Sequence, residues 1–308
     1  MVKLRKNHGN GGIATRNKGM ISKVILFAFV LIATFFGIGK FSSAGEGNNQ
    51  GQNDNGKEVE VIVENEERNY LPTAKDGKIV NHKYYSLSYA EKYEQAEWVA
   101  YVLTKKRLKM PMVPRSNDFR SDPLVQTHSA DLYDYKRSGY DRGHLVPAAD
   151  MAFNRDAMSE TFFLSNISPQ EHYFNGGVWR ELEELTRYWA KRFKKLYVVS
   201  GPIFGHPVKK FIGHDKVAVP KAYFKVLMDI DDPELKAIGY ILPNQSTDKH
   251  IQEFAVTVDE VEHVTGFDFY NDLIEDDLEE QLESQINKNL WPVSEKKHKI
   301  RVEKWNLH

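Results

Sequence analysis

Tyr140-Asp141-Arg142-Gly143-His144-Leu145-Val146-Pro147 is the stretch that decides how this chain is read. A histidine held between an Asp-Arg-Gly turn and a proline is poor material for a hydrophobic core and suits an active-site loop. Asp141 and Arg142 can pair, Gly143 permits a backbone turn that other residues resist, and His144 is left facing outward with a proton affinity near neutrality. That arrangement fits a general base. A plain surface turn with an incidental histidine would contain the same residues, so the rest of the chemistry must come from elsewhere in the chain.

It comes with Phe174-Asn175-Gly176-Gly177-Val178-Trp179, which opens a predicted helix over 176–193. Asn175, Trp179, Glu183 and Arg187 are four residues apart, a spacing that stacks an amide, a carboxylate and a guanidinium along one helix face. A second stripe, Val178, Leu182, Leu185, Trp189 and Phe193, would pack on the core. Taken singly, Glu183 and Arg187 read as solvated charges on an amphipathic helix.

Asp141-Arg142-Gly143-His144, then Thr161-Phe162-Phe163-Leu164-Ser165-Asn166-Ile167-Ser168-Pro169-Gln170, then Asn175, Trp179 and Leu182-Glu183 resemble, in order and spacing, the DNA/RNA non-specific endonucleases. These are the ββα-metal, or His-Me finger, nucleases, a family that includes secreted bacterial nucleases and mitochondrial endonuclease G. The likeness runs from about Tyr70 to Trp291-Pro292 and takes in Gly201-Pro202-Ile203-Phe204 and 219–226. It implies an α+β fold with a central, mainly antiparallel sheet flanked by helices. It makes His144 the general base and Asn175 the one protein ligand of a Mg²⁺, for which Mn²⁺ can substitute, with Glu183 holding waters of the metal shell. Arg115, within Pro114-Arg115-Ser116-Asn117, matches a catalytic arginine, and Arg187 a phosphate-binding one. Asn166 and Arg142 join the substrate-binding set; whether Arg142 touches phosphate or braces the loop through Asp141 stays open. DNA and RNA are the partners implied, and a homodimer is compatible with the family.

The chemistry agrees when built from the residues. Phosphodiester hydrolysis needs a deprotonated water in line with the leaving O3′, and an imidazole with an ordinary pKa of ~6.5 can take that proton. The phosphate gathers negative charge, which a hard divalent cation and an arginine fork neutralise. Mg²⁺ keeps most of its water shell, so one Asn with a Glu gripping the waters is a sufficient site. The chain has no cysteine, which excludes thiolate zinc sites, disulfides and cysteine nucleophiles.

From Met1 to Gly45 there is no acidic residue, and Lys3, Arg5, Lys6, Arg16, Lys18 and Lys23 precede an apolar run over 24–38. A basic flank followed by such a run predicts export, with the C-terminal domain secreted, periplasmic or anchored at the outer face of the cytoplasmic membrane. A cut after Ala44 and an uncleaved membrane anchor both remain open. The partition is therefore 1–44 as signal peptide or anchor, 45–58 as a Gly/Asn-rich flexible tether, and 59–308 as the endonuclease domain. Within that domain a strand is expected near 83–87, a helix over 90–103 and loop-rich sequence to Asp141. Further strands are expected at 197–200, 222–230 and 237–242.

Residues 59–308 carry 34 Lys and Arg against 40 Asp and Glu, so bulk charge does not advertise a nucleic-acid binder. Phosphate affinity must come from local patches such as Lys105-Lys106-Arg107, Arg187 and the cations of 191–195. The acidic run Glu275-Asp276-Asp277-Leu278-Glu279-Glu280 is expected to cap a surface helix away from substrate. Two other classes stay open: a catalytically weak nucleic-acid-binding protein, and a metal-dependent phosphodiesterase acting on small molecules. Because no core residue precedes Glu58, a chain starting there is expected to be soluble, monodisperse and fully active. Size-exclusion chromatography with a plasmid-cleavage assay checks this; aggregation or a large activity loss overturns the partition.

Overall fold

The computed structural model describes residues 68–307. The segments 1–44 and 45–58, with the first residues of the endonuclease domain, lie outside the described residues, as does the apolar run over 24–38.

Apolar and aromatic runs build one seven-stranded sheet. Its strands are β1 (Lys78–Asn81), β2 (Ser86–Ala90) and β3 (Gln95–Thr104), then, after the ββ element described below, β6 (Lys195–Ile203), β9 (Ala222–Asp229), β10 (Lys236–Pro243) and β11 (Ala255–Val256). The spatial order is β1-β2-β3-β6-β9-β10-β11, and every neighbouring pair is antiparallel. Between β3 and β6 in sequence lie β4 (Asp141–His144) and β5 (Ile167–Gln170), which pair with each other outside this sheet. A second ribbon, β7 (Phe211–Ile212) with β8 (Val217–Ala218), precedes β9.

Strand parity divides the core into two layers. On β3, Val99, Tyr101 and Leu103 face one layer, while Trp98, Ala100 and Val102 face the other. The first layer receives Val178 from the turn before the long helix, and Leu182, Leu185 and Trp189 from the long helix Arg180–Phe193 itself, the stripe read from the sequence. The second receives Val258, Val261 and Leu282 from helices Val258–Thr265 and Asp276–Glu283. The acidic run therefore opens a helix on the face opposite the long helix, as expected.

Two local expectations are corrected. The segment 90–103 is not a helix: after a short turn at Glu91–Tyr93 it becomes the central strand β3. Buried on both faces, β3 lacks the polar alternation that marks a half-exposed strand, and a continuous apolar run looks alike in a buried helix and a buried strand. The single strand near 83–87 is in fact two, β1 and β2, reversing through 82–85.

The helix Glu295–Lys304 docks against the long helix through a buried cation. Arg301 Nε donates to Glu181 Oε2 at 2.5 Å, and both side chains are inaccessible to solvent. The remaining guanidinium donors reach the Thr247 carbonyl and, at 2.5 Å, the Lys249 carbonyl. Removing one partner of such a pair leaves an uncompensated buried charge, so Arg301→Met is expected to destabilise by about 3–5 kcal/mol. In chemical denaturation the further change Glu181→Leu should recover much of the loss; a single variant as stable as the parent contradicts the pairing.

Candidate active site

The β4–β5 pair sets the histidine. His144 ends β4 opposite Ile167, Leu145 N donates to the Asn166 carbonyl at 3.0 Å, and Ser200 Oγ on β6 donates to the Leu145 carbonyl at 3.0 Å. Trp179 Nε1 lies 3.4 Å from the His144 carbonyl and pins the same turn from the other side. Gly143 lies within the strand, where its role is close approach: a Cβ there would fall 2.1 Å from Cδ of Gln170 across the pair.

His144 does not face outward. It is 7% exposed, with its ring edge-on to Phe162 (centroids 4.8 Å apart) and 5.6 Å from Phe119. The same two rings carry the arginines: Arg115 sits 4.8 Å above Phe162, and Arg142 sits 4.4 Å above Phe119. Burial, then the charge of Arg115, lowers the His144 pKa to about 3, against the raising effect of a hydrogen bond to the Arg142 backbone. The expectation of a near-neutral proton affinity is corrected accordingly: the imidazole is neutral throughout the physiological range. Its Nε2 is buried without a hydrogen-bond partner among the described residues. A ring that donates to a backbone carbonyl through one nitrogen keeps the other as a free acceptor.

Asp141 does not pair with Arg142. It accepts from Asn175 Nδ2 at 2.9 Å and lies 3.0 Å from His172 Nδ1. Arg142 is left exposed on Phe119, which decides against a brace through Asp141. Asn175 is not on the long helix. Phe174–Trp179 forms a widened π-type turn in which Gly177 leaves helical geometry (φ −103°, ψ −108°), and regular helix starts at Arg180. The Gly-Gly pair has the poorest helix propensity after proline and opens the turn there. Asn175 donates its backbone N–H to the Glu171 carbonyl at 2.8 Å and its Nδ2 to Asp141, contacts that leave Oδ1 unused among the described residues. Trp179, expected on the same face, is buried in the core instead.

Glu183 and Arg187 do share a face of the long helix, over a charge cluster the sequence analysis missed. Arg187 Nη1 donates to Asp150 Oδ1 at 2.8 Å, and Tyr101 donates to Asp150 Oδ2 at 2.7 Å. Lys225 on β9 is fully buried, its Nζ without a hydrogen-bond partner among the described residues and 4.7 Å above the Trp179 ring. Burial raises the Glu183 pKa while Arg187, Lys225 and Arg115 oppose it; burial lowers Lys225, opposed by Glu183 and Asp150. The signal for Lys225 was available: it interrupts the apolar strand Ala-Tyr-Phe-Lys-Val-Leu-Met and has the parity of Tyr223 and Leu227, which face the long helix. Asp150 follows two alanines and carried no signal.

Asn166, grouped with the substrate-binding residues, sits as a support of the site and not on its surface. It is fully buried, accepting from Val146 N at 2.9 Å and donating to the carbonyls of Val146 and Thr161 at 3.1 and 2.8 Å. Arg115, Arg142 and Asn175 line a cleft of about 740 Å³ with Phe119, Tyr133 and Lys136. The patches at 105–107 and 191–195 are not part of its wall.

A histidine on a two-stranded element followed by a helix, with an asparagine between them, is the arrangement of a ββα-metal nuclease. The chain matches the DNA/RNA non-specific endonuclease family over residues 64–276, and it belongs to that family, whose members hydrolyse phosphodiester bonds. It is 34% identical over 203 residues to the mitochondrial endonuclease G of Homo sapiens, covering 62% of this chain and 68% of that one. It is 35% identical over 199 residues to the mitochondrial nuclease EXOG of Danio rerio, covering 60% of this chain and 58% of that protein's length. Among solved structures it resembles the EndoG/EndoGI complex, with a TM-score of 0.60 and 33% identity over 67% of this chain and 89% of that one.

These findings overturn the reading of an exported, secreted or membrane-anchored enzyme. The endonuclease G and EXOG relatives just named are mitochondrial. Among the described residues, which do not include 24–38, no helix is long and apolar enough to cross a membrane. Export signals and mitochondrial transit peptides share a basic N-terminus poor in acids, so the expectation of export rested on the continuous apolar run over 24–38, which lies outside the described residues.

The geometry makes Arg115 one cause of the low His144 pKa. Arg115→Met should raise that pKa from about 3 while leaving it below 6.5, because burial, the larger cause, persists. An NMR titration of the His144 ring, with His144→Gln to assign the signal, reads this directly; an unchanged or lower value contradicts it.

Proposed function

We propose that this chain is a metal-dependent, sequence-non-specific endonuclease that hydrolyses phosphodiester bonds of DNA and RNA. The observation that carries the reading is His144: a buried, neutral imidazole whose Nε2 has no partner among the described residues, within the field of Arg115 and Arg142, which themselves line an open cleft.

The donors suit a hard cation. Asn175 Oδ1 is a neutral oxygen left unpaired by the Asp141 contact, Glu183 supplies a carboxylate, and no thiolate competes. Asn175 would hold Mg²⁺ or Mn²⁺, and Glu183 would hold waters of its shell. Such an ion supplies positive charge where the phosphate oxygens become more negative.

His144 Nε2 takes the proton from the attacking water, and its neutrality at physiological pH keeps it ready to do so. Arg115, beside the histidine and close enough to feel Glu183, offsets the growing charge on the phosphate. Arg142, exposed on Phe119, binds a neighbouring phosphate. Arg187 keeps one donor on Asp150, so it orders the floor of the site and offers only its remaining donors to substrate. Asn166 holds the strand that carries the base.

A polymer fits better than a small phosphodiester. The cleft is broad, and Tyr133 on its wall is 78% exposed with Lys136 6.0 Å from its ring. Aromatic and cationic groups side by side offer stacking and phosphate contact without reading base edges.

His144→Ala is expected to lower cleavage of both plasmid and RNA by ~10²–10⁴, with the fold retained by circular dichroism; near-parental turnover removes His144 from the mechanism. Asn175→Ala is expected to weaken activity in a way that excess Mg²⁺ or Mn²⁺ partly restores. Cleavage by the parent enzyme in chelator would sink the metal assignment. Comparing duplexes of unrelated sequence, RNA and a chromogenic phosphodiester across a salt series tests substrate class: KM for the polymers should rise steeply with salt. Turnover confined to the small ester, or to one DNA sequence, contradicts the proposal.

A further inference from the structure

On the face of the sheet opposite His144, three carboxylates converge from two helices. Asp259 and Glu262 stand on Val258–Thr265, and Glu283 ends Asp276–Glu283. One oxygen from each lies within 4.8 Å of the others. Like charges this close repel, and a buried pair of them is unfavourable without compensation.

Glu283 makes the cluster more than a patch of surface acids. It is 3% exposed, and its Oε1 is buried with no hydrogen-bond partner among the described residues. A buried acceptor left unpaired is destabilising unless something absent from the protein itself meets it. Burial first, and then Glu262, Glu279, Asp268 and Asp259, push the Glu283 carboxyl up to about 10. Glu262, similarly pushed up to about 7, spends Oε1 on the Phe269 amide at 2.8 Å and keeps its second oxygen. Asp259, the exposed member, gives the cluster an opening to solvent.

The donors are all hard oxygens, which select Ca²⁺, Mg²⁺ or Mn²⁺ over softer ions. With Ca²⁺–oxygen distances of 2.3–2.6 Å, opposite ligands of one ion stand ~4.6–5.2 Å apart, whereas Mg²⁺ requires ~4.0–4.2 Å and strict octahedral geometry. Oxygens lying within 4.8 Å of one another leave room for the larger ion, which also tolerates irregular shells.

We propose that Asp259, Glu262 and Glu283 form a Ca²⁺ site, separate from the nuclease centre, that clamps helix Asp276–Glu283 to helix Val258–Thr265. Its role is to stabilise the helical layer behind the sheet; it contributes nothing to phosphodiester chemistry. The inference does not depend on the proposed nuclease mechanism.

The test is Ca²⁺ titration of the intact protein in saturating Mg²⁺, followed by thermal unfolding and by calorimetric counting of bound Ca²⁺, for the parent, Glu283→Gln and Asp259→Asn. At Ca²⁺ a hundredfold above its Kd the parent Tm should rise by roughly 5–10 °C. The rise and one bound Ca²⁺ should be lost in both variants, while their Mg²⁺-supported cleavage of plasmid stays at the parental level. No Ca²⁺-dependent rise in the parent, or a rise kept in either variant, overturns the site. Should Glu283→Gln fail to fold, Asp259→Asn at the exposed edge carries the same comparison alone.

Discussion

Neutrality of a buried imidazole is the constraint around which the catalytic half of this molecule is arranged. His144 sits in an apolar corner between Phe119 and Phe162, with an arginine on each ring. In water such a histidine would be protonated part of the time. Here desolvation and two positive neighbours remove that state, so the lone pair on Nε2 stays available. The strand that presents it cannot drift, because Asn166 holds it on one side, Ser200 on a second and Trp179 on a third.

The same logic runs through the layer beneath. A sheet covered on both faces has little room for charge, yet Asp150, Glu183, Arg187 and Lys225 gather where the long helix crosses β3 and β9. Each is tolerated because the others neutralise it: Arg187 reaches Asp150, Tyr101 fills the second oxygen, and Lys225 rests on Trp179 within the field of Glu183. Buried charge of this kind adds little to stability by itself. It places Glu183 within the field of Arg187, Lys225 and Arg115. On the far face Asp259, Glu262 and Glu283 converge carboxylate on carboxylate, and this separates a balanced cluster from one that calls for a cation.

The C-terminal helix adds a third case. Arg301 is buried completely, but every direction its guanidinium points is met by an acceptor: Glu181 on the long helix and two carbonyls near 247–249. The helix that carries the site is thereby held from both sides, by the sheet and by the end of the chain.

The sequence by itself determined a good deal. Order and spacing of the Asp-Arg-Gly-His, Asn and Glu motif were enough for the family and the α+β class, because a motif records which residues chemistry requires. The apolar stripe from Val178 to Leu185 and Trp189 was legible because helical periodicity survives on a one-sided surface. The central strand β3 was misread because burial on both faces erases the alternation that marks strands. Tertiary structure alone decided the rest. It buried His144 and moved its proton affinity, took Asp141 from Arg142 and gave it to Asn175, put Asn175 on a π-type turn, and paired Arg187 with Asp150 from thirty-seven residues away. These outcomes depend on which surfaces lose water and which charges become neighbours, and neither is a property of residues taken in order along the chain.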